Sequence, residues 1–174
     1  LNKESITQVE LADHEEREMT IMFADIRDFT PLSESMNPQE NFRFLNSYLS
    51  RVSPVIGQHH GFIDKYIGDE IMALFPRSPD DAIQAATALQ IEVALYNQHR
   101  GSCGYDPVRI GISLHTGRLM LGIIGEDKRM EGTVISDSVN LASRLESLTK
   151  LYGASIIASE TTVQGLREAD RYKH

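Results

Sequence analysis

Met19-Thr20-Ile21-Met22-Phe23-Ala24-Asp25-Ile26-Arg27-Asp28-Phe29-Thr30-Pro31 moves from an uninterrupted apolar run to an acid and then to a helix-start signal. The run Met19 to Ala24 is short and rich in β-favouring residues, so it reads as a strand buried on both faces. Asp25 is the first acid behind it. A carboxylate there is costly unless a cation, a basic residue or a helix N-terminus compensates its charge. Thr30-Pro31 followed by Leu32-Ser33-Glu34 reads as an N-cap with Pro at the first helical position. The N–H groups between Asp25 and Thr30 are then expected to turn toward the carboxylate and form a phosphate cradle.

About forty residues on, Asp64-Lys65-Tyr66-Ile67-Gly68-Asp69-Glu70 reads as the heart of a hairpin. Phe62 to Tyr66 is its first arm and Ile71 to Phe75 its second, with Gly68 supplying the positive φ of a tight turn. Asp69 at the tip has two readings, a turn stabiliser or a partner for Asp25 if the two strands pair. Asp25 likewise reads alone as a residue that caps a helix. Two carboxylates at the ends of adjacent strands are the layout of a two-metal phosphoryl or nucleotidyl transfer site, where hard divalent cations take oxygen ligands.

The remaining elements alternate. An amphipathic helix is expected from Pro38 to about Ser50, with Phe42, Phe44, Leu45, Tyr48 and Leu49 inward and Pro54 just beyond its end. Ser78-Pro79 opens a second helix through Ala82, Ile83, Ala86, Leu89, Ile91 and Leu95, closing near Asn97. Gly101 to Gly104 reads as a turn before a strand at Val108 to Leu114, whose hairpin partner is expected at Arg118 to Gly125 around Thr116-Gly117. Asp137 to Leu148 reads as a helix. The order β-α-α-β-β-α-β-β-α is that of an α+β, ferredoxin-like sandwich with additions.

Composition narrows the functional classes. The chain of 174 residues is 41% hydrophobic, enough for a full core. A formal charge of −8, with no basic cluster or aromatic stripe, argues against nucleic acid as a partner. Cys103 stands alone, so neither a disulfide within the chain nor a Cys-rich zinc site is available. His59, His60 and His115 lack the spacing of metal ligands and read as surface and strand residues. No stretch reaches the length of a transmembrane helix, and no signal peptide is visible.

Four ordered blocks carry a resemblance. They are Phe23-Ala24-Asp25-Ile26 with Phe29-Thr30; Lys65 to Glu70; Ile110-Gly111-Ile112 with His115-Thr116-Gly117; and Gly132-Thr133 running to Asn140-Leu141-Ala142-Ser143-Arg144-Leu145-Glu146. Together they make the chain resemble a class III adenylyl cyclase catalytic domain from about Met19 to about Leu166, similar to the bacterial, bicarbonate-responsive subgroup and built on a palm-like core.

The resemblance implies that Asp25, Asp69 and the carbonyl of Ile26 hold two Mg²⁺ or Mn²⁺ ions, with Phe29 and Thr30 at the phosphates. ATP is the implied substrate and cyclic AMP the product. Arg144 would stabilise charge on the α-phosphate and Asn140, one turn earlier, would orient the ribose. As residues alone, Arg144 reads first as a solvated helix arginine paired with Glu146 or Glu131, and Lys65 as a strand lysine facing water, the commoner fate of each; the family spacing reverses this for Arg144. In the family, Lys65 and Thr133 read the base. Lys is donor only, which suits adenine N1 and disfavours guanine.

The implied assembly is a head-to-tail homodimer with the acids from one chain and Lys65, Thr133, Asn140 and Arg144 from the other. With ATP as the implied substrate the cytoplasm is the expected location, with a membrane-tethered parent protein left open; residues 1–18 point to an upstream regulatory domain, and the resemblance makes bicarbonate a candidate activator. Residues 1–18 read as a connecting segment and 19–174 as the catalytic domain. The domain is expected to lack C-terminal strands that bear a triphosphate-contacting lysine in the family, a place Lys173 does not match. A guanylyl cyclase and a non-catalytic nucleotide-binding module are the alternatives.

Overall fold

The apolar run at Met19 is the middle of a longer strand, β1 (His14–Ile26), which lies inside the sheet. The computed structural model describes residues 14–126, 129–167 and 169, with backbone alone at 14, 123–126 and 129–133. β1 therefore begins within the segment expected to be a connector.

After β1 come the short helix α1 (Phe29–Glu34) and α2 (Pro38–Gln58), then the hairpin of β2 (Phe62–Ile67) and β3 (Glu70–Phe75). Next are α3 (Pro79–Ser102), β4 (Ile110–Glu126), β5 (Arg129–Ile135) and α4 (Asp137–Tyr152), with β6 (Ile156–Ala158) and α5 (Glu160–Gln164) last. The strands lie in the order β2-β3-β1-β4-β5, and β6 joins β4 in parallel at Ile112–Leu114. The core order β4-β1-β3-β2 is the expected ferredoxin-like arrangement.

Alternation along β1 divides the core in two. Met22, Ala24 and Ile26 pack with Phe44, Tyr48, Val52 of α2 and Ala86, Leu89, Val93 of α3. Met19, Ile21 and Phe23 pack on the other face with Met72, Leu74 and Ala142 of α4. Asp25 continues this second series, so its side chain belongs to the α4 face.

Several boundaries differ from the reading of the sequence. α2 runs through Pro54 to Gln58, because burying Val52, Val55 and Ile56 outweighs the roughly 3 kcal/mol that an internal proline costs. α3 continues past Asn97 to Ser102; its buried stripe is Ala82, Ala86, Leu89, Val93, Tyr96 and Arg100, which leaves Ile91 and Leu95 outside. Phe42, expected in the core, is 71% exposed.

Thr116-Gly117 is not a turn. Both residues pair with β1, opposite Thr20 and Met19, so β4 is one unbroken strand and its partner is β5. Thr30 is not an N-cap either. α1 starts at Phe29 behind Asp28, whose backbone is left-handed at φ 55° and whose carboxylate is drawn to Lys150 instead of capping. β6 and α5 were not read from the sequence. Among the described residues no helix is long and apolar enough to cross a membrane.

Gly111 lies opposite Asp25, with Thr149 of α4 against it. A Cβ there would collide with Thr149 Oγ1 and come within 2.8 Å of the Arg27 guanidinium. Gly111→Ala is expected to cost about 1–3 kcal/mol, as overpacking does. Urea unfolding checks this; an unchanged midpoint would show that Arg27 and Thr149 yield freely.

Candidate active site

β1 and β3 pair antiparallel up to Ala24 and Ile71, which sets the tip of the β2–β3 hairpin beside the end of β1. Gly68, at φ 65°, makes the two-residue turn that swings Asp69 inward. Asp69 Oδ2 accepts the N–H of Ile26 at 3.2 Å. Burial pushes the Asp25 carboxyl up to about 7, and the neighbouring Asp69 carboxyl adds to this against the opposite pull of the Ile26 N–H and of Arg27. The two acids expected to share a site do meet.

They have acidic company that the sequence reading did not single out. Burial, then Asp25, then Glu146 raise Glu70 to about 7. Glu146 itself is raised, first by burial and then by Asp25. Tyr48 lies buried with no partner for its hydroxyl, its ionisation opposed by burial and then by Asp69 and Asp25. Among the described residues none of the four carboxylates has a cation within ion-pair distance. A periodicity argument would have found Glu146: it lies about 200° around α4 from Arg144, so the two face opposite ways. That geometry removes the Arg144–Glu146 ion pair as a reading.

This donor set fits a hard divalent cation. The donors are oxygens, the acids have no ion-pair partner among the described residues, and Asp25 and Asp69 touch. Among the described residues no three His, Cys, Asp or Glu converge on one point, so the Ile26 carbonyl and oxygens from outside the protein would have to complete any coordination shell.

The loop behind Asp25 is firmly held. The Arg27 N–H donates to the Arg109 carbonyl at 2.8 Å and its Nη2 to the Ala154 carbonyl at 2.9 Å. Asp28 bonds Lys150 Nζ at 2.8 Å, which draws its carboxyl below the usual range. The expected cradle is thus smaller than the sequence suggested, since the N–H groups of Ile26 and Arg27 are already engaged. Phe29 stacks on Phe44 with centroids 6.3 Å apart, and Thr30 is exposed.

Lys65 depends on an irregularity. Phe62 pairs with Leu74, Ile63 with Ala73 and Lys65 with Met72, leaving Asp64 as a bulge. Opposed residues share a face. The bulge therefore sends both Phe62 and Lys65, three apart, to the α4 face while Ile63 stays in the core. Lys65 Nζ lies 3.4 Å from Oδ2 of the largely buried Asp64, and Lys65 sits two rungs from the Ile67–Glu70 pair that closes the hairpin.

Ser136 caps α4 by accepting the Ser138 N–H at 2.9 Å. Ala142 and Thr149 turn into the domain, and Asn140 and Arg144 turn out, exposed and without hydrogen bonds or ion pairs among the described residues. Leu141, Leu148 and Ile135 are exposed beside them. Thr133 lies in β5 opposite Gly122; its side chain falls outside the described residues. Within one chain, then, Asp25 and Asp69 converge, Asn140 and Arg144 face outward, and Lys65 stays beside its own Asp64.

Residues 11–174 match the family model for the adenylate and guanylate cyclase catalytic domain. The chain is 44% identical over 168 residues to an adenylate cyclase of Anabaena cylindrica, covering 94% of this chain and 34% of that protein. It is 39% identical to the terminal-differentiation-specific adenylate cyclase of Dictyostelium discoideum, covering 86% of this chain and 7% of that one. Among solved structures, the adenylyl cyclase CyaB of P. aeruginosa superposes with a TM-score of 0.81 at 31% identity, over 90% of this chain and 83% of that one. The guanylyl cyclase Cya2 does so at 0.77 and 34%, over 87% and 79%. The chain spans 34% and 7% of the two curated relatives and most of the two solved domains. With its two acids, its bulged lysine strand and its ferredoxin-like sheet, this chain belongs to the class III adenylyl and guanylyl cyclase catalytic domains.

Proposed function

We propose that the chain is the catalytic module of an adenylyl cyclase, converting ATP to 3′,5′-cyclic AMP and pyrophosphate. The observation that carries this is the contact of Asp25 and Asp69 at the end of β1, two acids with no cation within ion-pair distance among the described residues. Asp25, Asp69 and the Ile26 carbonyl would hold two divalent ions, which when bound supply charge neutralisation on the triphosphate and acidify the ribose 3′-hydroxyl. That oxygen attacks the α-phosphorus in line, and the bond to the bridging oxygen of the leaving pyrophosphate breaks.

The protein's part is positioning and charge. Arg144 offers a planar fork to the α-phosphate, Asn140 orients the ribose, and Phe29 and Thr30 border the phosphates. Lys65 donates to adenine N1 and Thr133 accepts from the adenine amino group, which favours ATP over GTP. Names of relatives support the choice, since the Anabaena and Dictyostelium proteins are adenylate cyclases; Cya2 keeps the guanylyl alternative in view.

Asn140 and Arg144 are exposed and unpaired among the described residues, Lys65 meets only its neighbour Asp64, and the apolar Leu141, Leu148, Phe62 and Ile67 are exposed on the same elements or the adjoining hairpin. This supports a head-to-tail homodimer in which each site takes its acids from one copy and its base-reading and phosphate-holding groups from the other. Action in the cytoplasm, control by an upstream domain and stimulation by bicarbonate belong to the same proposal.

Three expectations test this reading. Asp25→Ala and Arg144→Ala are each expected to lower turnover by at least about a hundredfold. Their equal mixture should regain about a quarter of wild-type activity, since half the dimers are mixed and each holds one intact site of two. No recovery on mixing, with dimers confirmed by ultracentrifugation, would rule out shared sites.

Lys65→Glu combined with a change at Thr133 should erode the preference for ATP over GTP in a product assay. Unchanged selectivity would mean that the base is read elsewhere.

The pH dependence has a definite sign. A carboxyl raised from 3.8 to about 7 binds its proton more tightly in the folded state, so metal-free stability falls as pH rises between those values. Well above pH 7, Asp25→Asn should raise the melting temperature by about 2–4 °C, the shift that 1 kcal/mol brings in a domain of this size. Mn²⁺ should stabilise the wild type and leave the variant unmoved; equal stabilisation of both would place the cation elsewhere.

A further inference from the structure

The last turn of α3 buries a cation without an anion. Arg100 is 8% exposed. Arginine keeps its charge at any ordinary pH, so it cannot escape the cost of burial by losing a proton. Among the described residues no carboxylate lies within ion-pair distance of its guanidinium. Nε donates to the Asp106 carbonyl at 2.8 Å, and this is the guanidinium's one hydrogen bond among the described residues. Its planar face is covered by Phe44, Tyr105 and Tyr96, with ring centroids at 4.9, 5.4 and 5.7 Å. Rings stabilise a cation through their faces but accept nothing from the Nη hydrogens at its edge.

That guanidinium lines a cavity of about 580 Å³ between α1, α2 and the end of α3, within the roughly 300–1,000 Å³ typical of small-molecule sites. Leu32 and Met36 give it an apolar wall. Arg43 and His99 stand at its rim, exposed and unpaired among the described residues. Two acids also line it. Glu40 is committed to the capping box of α2, where its carboxylate accepts the Asn37 N–H at 2.9 Å, and Asp106 gives Arg100 its backbone oxygen instead of its carboxylate. The cavity lies on the α2–α3 face of the sheet, opposite the face that carries Asp25, Lys65 and α4.

We infer that this cavity binds a small organic anion, whose carboxylate or phosphate takes the Nη edge of Arg100 and whose carbon skeleton lies against Tyr105 and Phe44. An oxyanion matches a guanidinium edge with two parallel hydrogen bonds, which an ammonium cannot reproduce. Occupancy also touches the catalytic side of the chain through packing: Phe44 stacks on Phe29 at 6.3 Å, and Leu32 is part of α1. Only this second consequence rests on the cyclase reading.

The test is a titration of the whole chain with benzoate and, separately, phenyl phosphate, against sodium chloride at matched ionic strength. The readouts are the NMR signals of Arg100 Nε and of the amides of Gly104, Tyr105 and Asp106. Saturable shifts at millimolar concentration or below are expected with at least one probe and not with chloride; the probe that binds tells carboxylate from phosphate. Arg100→Lys should weaken binding about tenfold, the loss of a charge-assisted bond. Arg43→Ala and Tyr105→Ala, at exposed positions that do not threaten folding, should each weaken it at least about threefold. Arg144→Ala should leave these shifts in place, which separates the cavity from the catalytic site. No saturable shift with either probe, or binding that Arg43→Ala and Tyr105→Ala leave unchanged, would overturn the inference and leave Arg100 as a staple for the 103–106 loop. Because binding is read without turnover, its failure would say nothing against the cyclase reading.

Discussion

Everything around the candidate site depends on two carboxyls being held closer than their charges favour. Pairing of β1 with β3 and the left-handed Gly68 bring Asp69 to the Ile26 N–H, and the same strand end presents Asp25 to it. Burial makes their repulsion stronger, and Glu70 and Glu146 add to it. The surrounding fold withstands this because the loop that follows is tied down by Arg27 and Asp28 to Arg109, Lys150 and Ala154. A site assembled against its own charge is primed for a cation, since coordination relieves what folding imposes.

Burial and repulsion also explain how the chain divides its labour. One face of the sheet is sealed by α2 and α3 and carries most of the apolar core. The other is only partly covered by α4, which leaves the β2–β3 arm and the outer side of that helix open. Asn140 and Arg144, without hydrogen bonds or ion pairs among the described residues, stand on the outer side of that helix. The sealed face has its own exception in Arg100, where aromatic rings stand in for a counter-ion.

Much of this was legible in the sequence. The apolar run into Asp25, the Gly-Asp turn and the helix signals at Pro38 and Ser78 are local, and local rules governed them. What was missed is tertiary. A glycine in β4 looked like a turn because its pairing with a β1 that extends back to His14 is a long-range fact. Pro54 looked like a helix end because the burial around it is not visible in periodicity alone. Thr30 lost its capping role to a salt bridge between Asp28 and Lys150, 122 residues apart. Glu70 and Glu146 close two of the quoted blocks without a role of their own, and the fold shows that they share the neighbourhood of Asp25.

The bulge at Asp64 phases the β2–β3 hairpin twice. Its root is keyed to the core by Ile63 and its tip to the turn at Gly68-Asp69, with one surplus residue absorbing the mismatch between them. The side chain at position 65 can therefore be exchanged without disturbing either the core or the acid at the tip. A hairpin built this way holds its root by the core and its tip acid by the turn, so the chemistry at position 65 is free to vary while both anchors stay fixed.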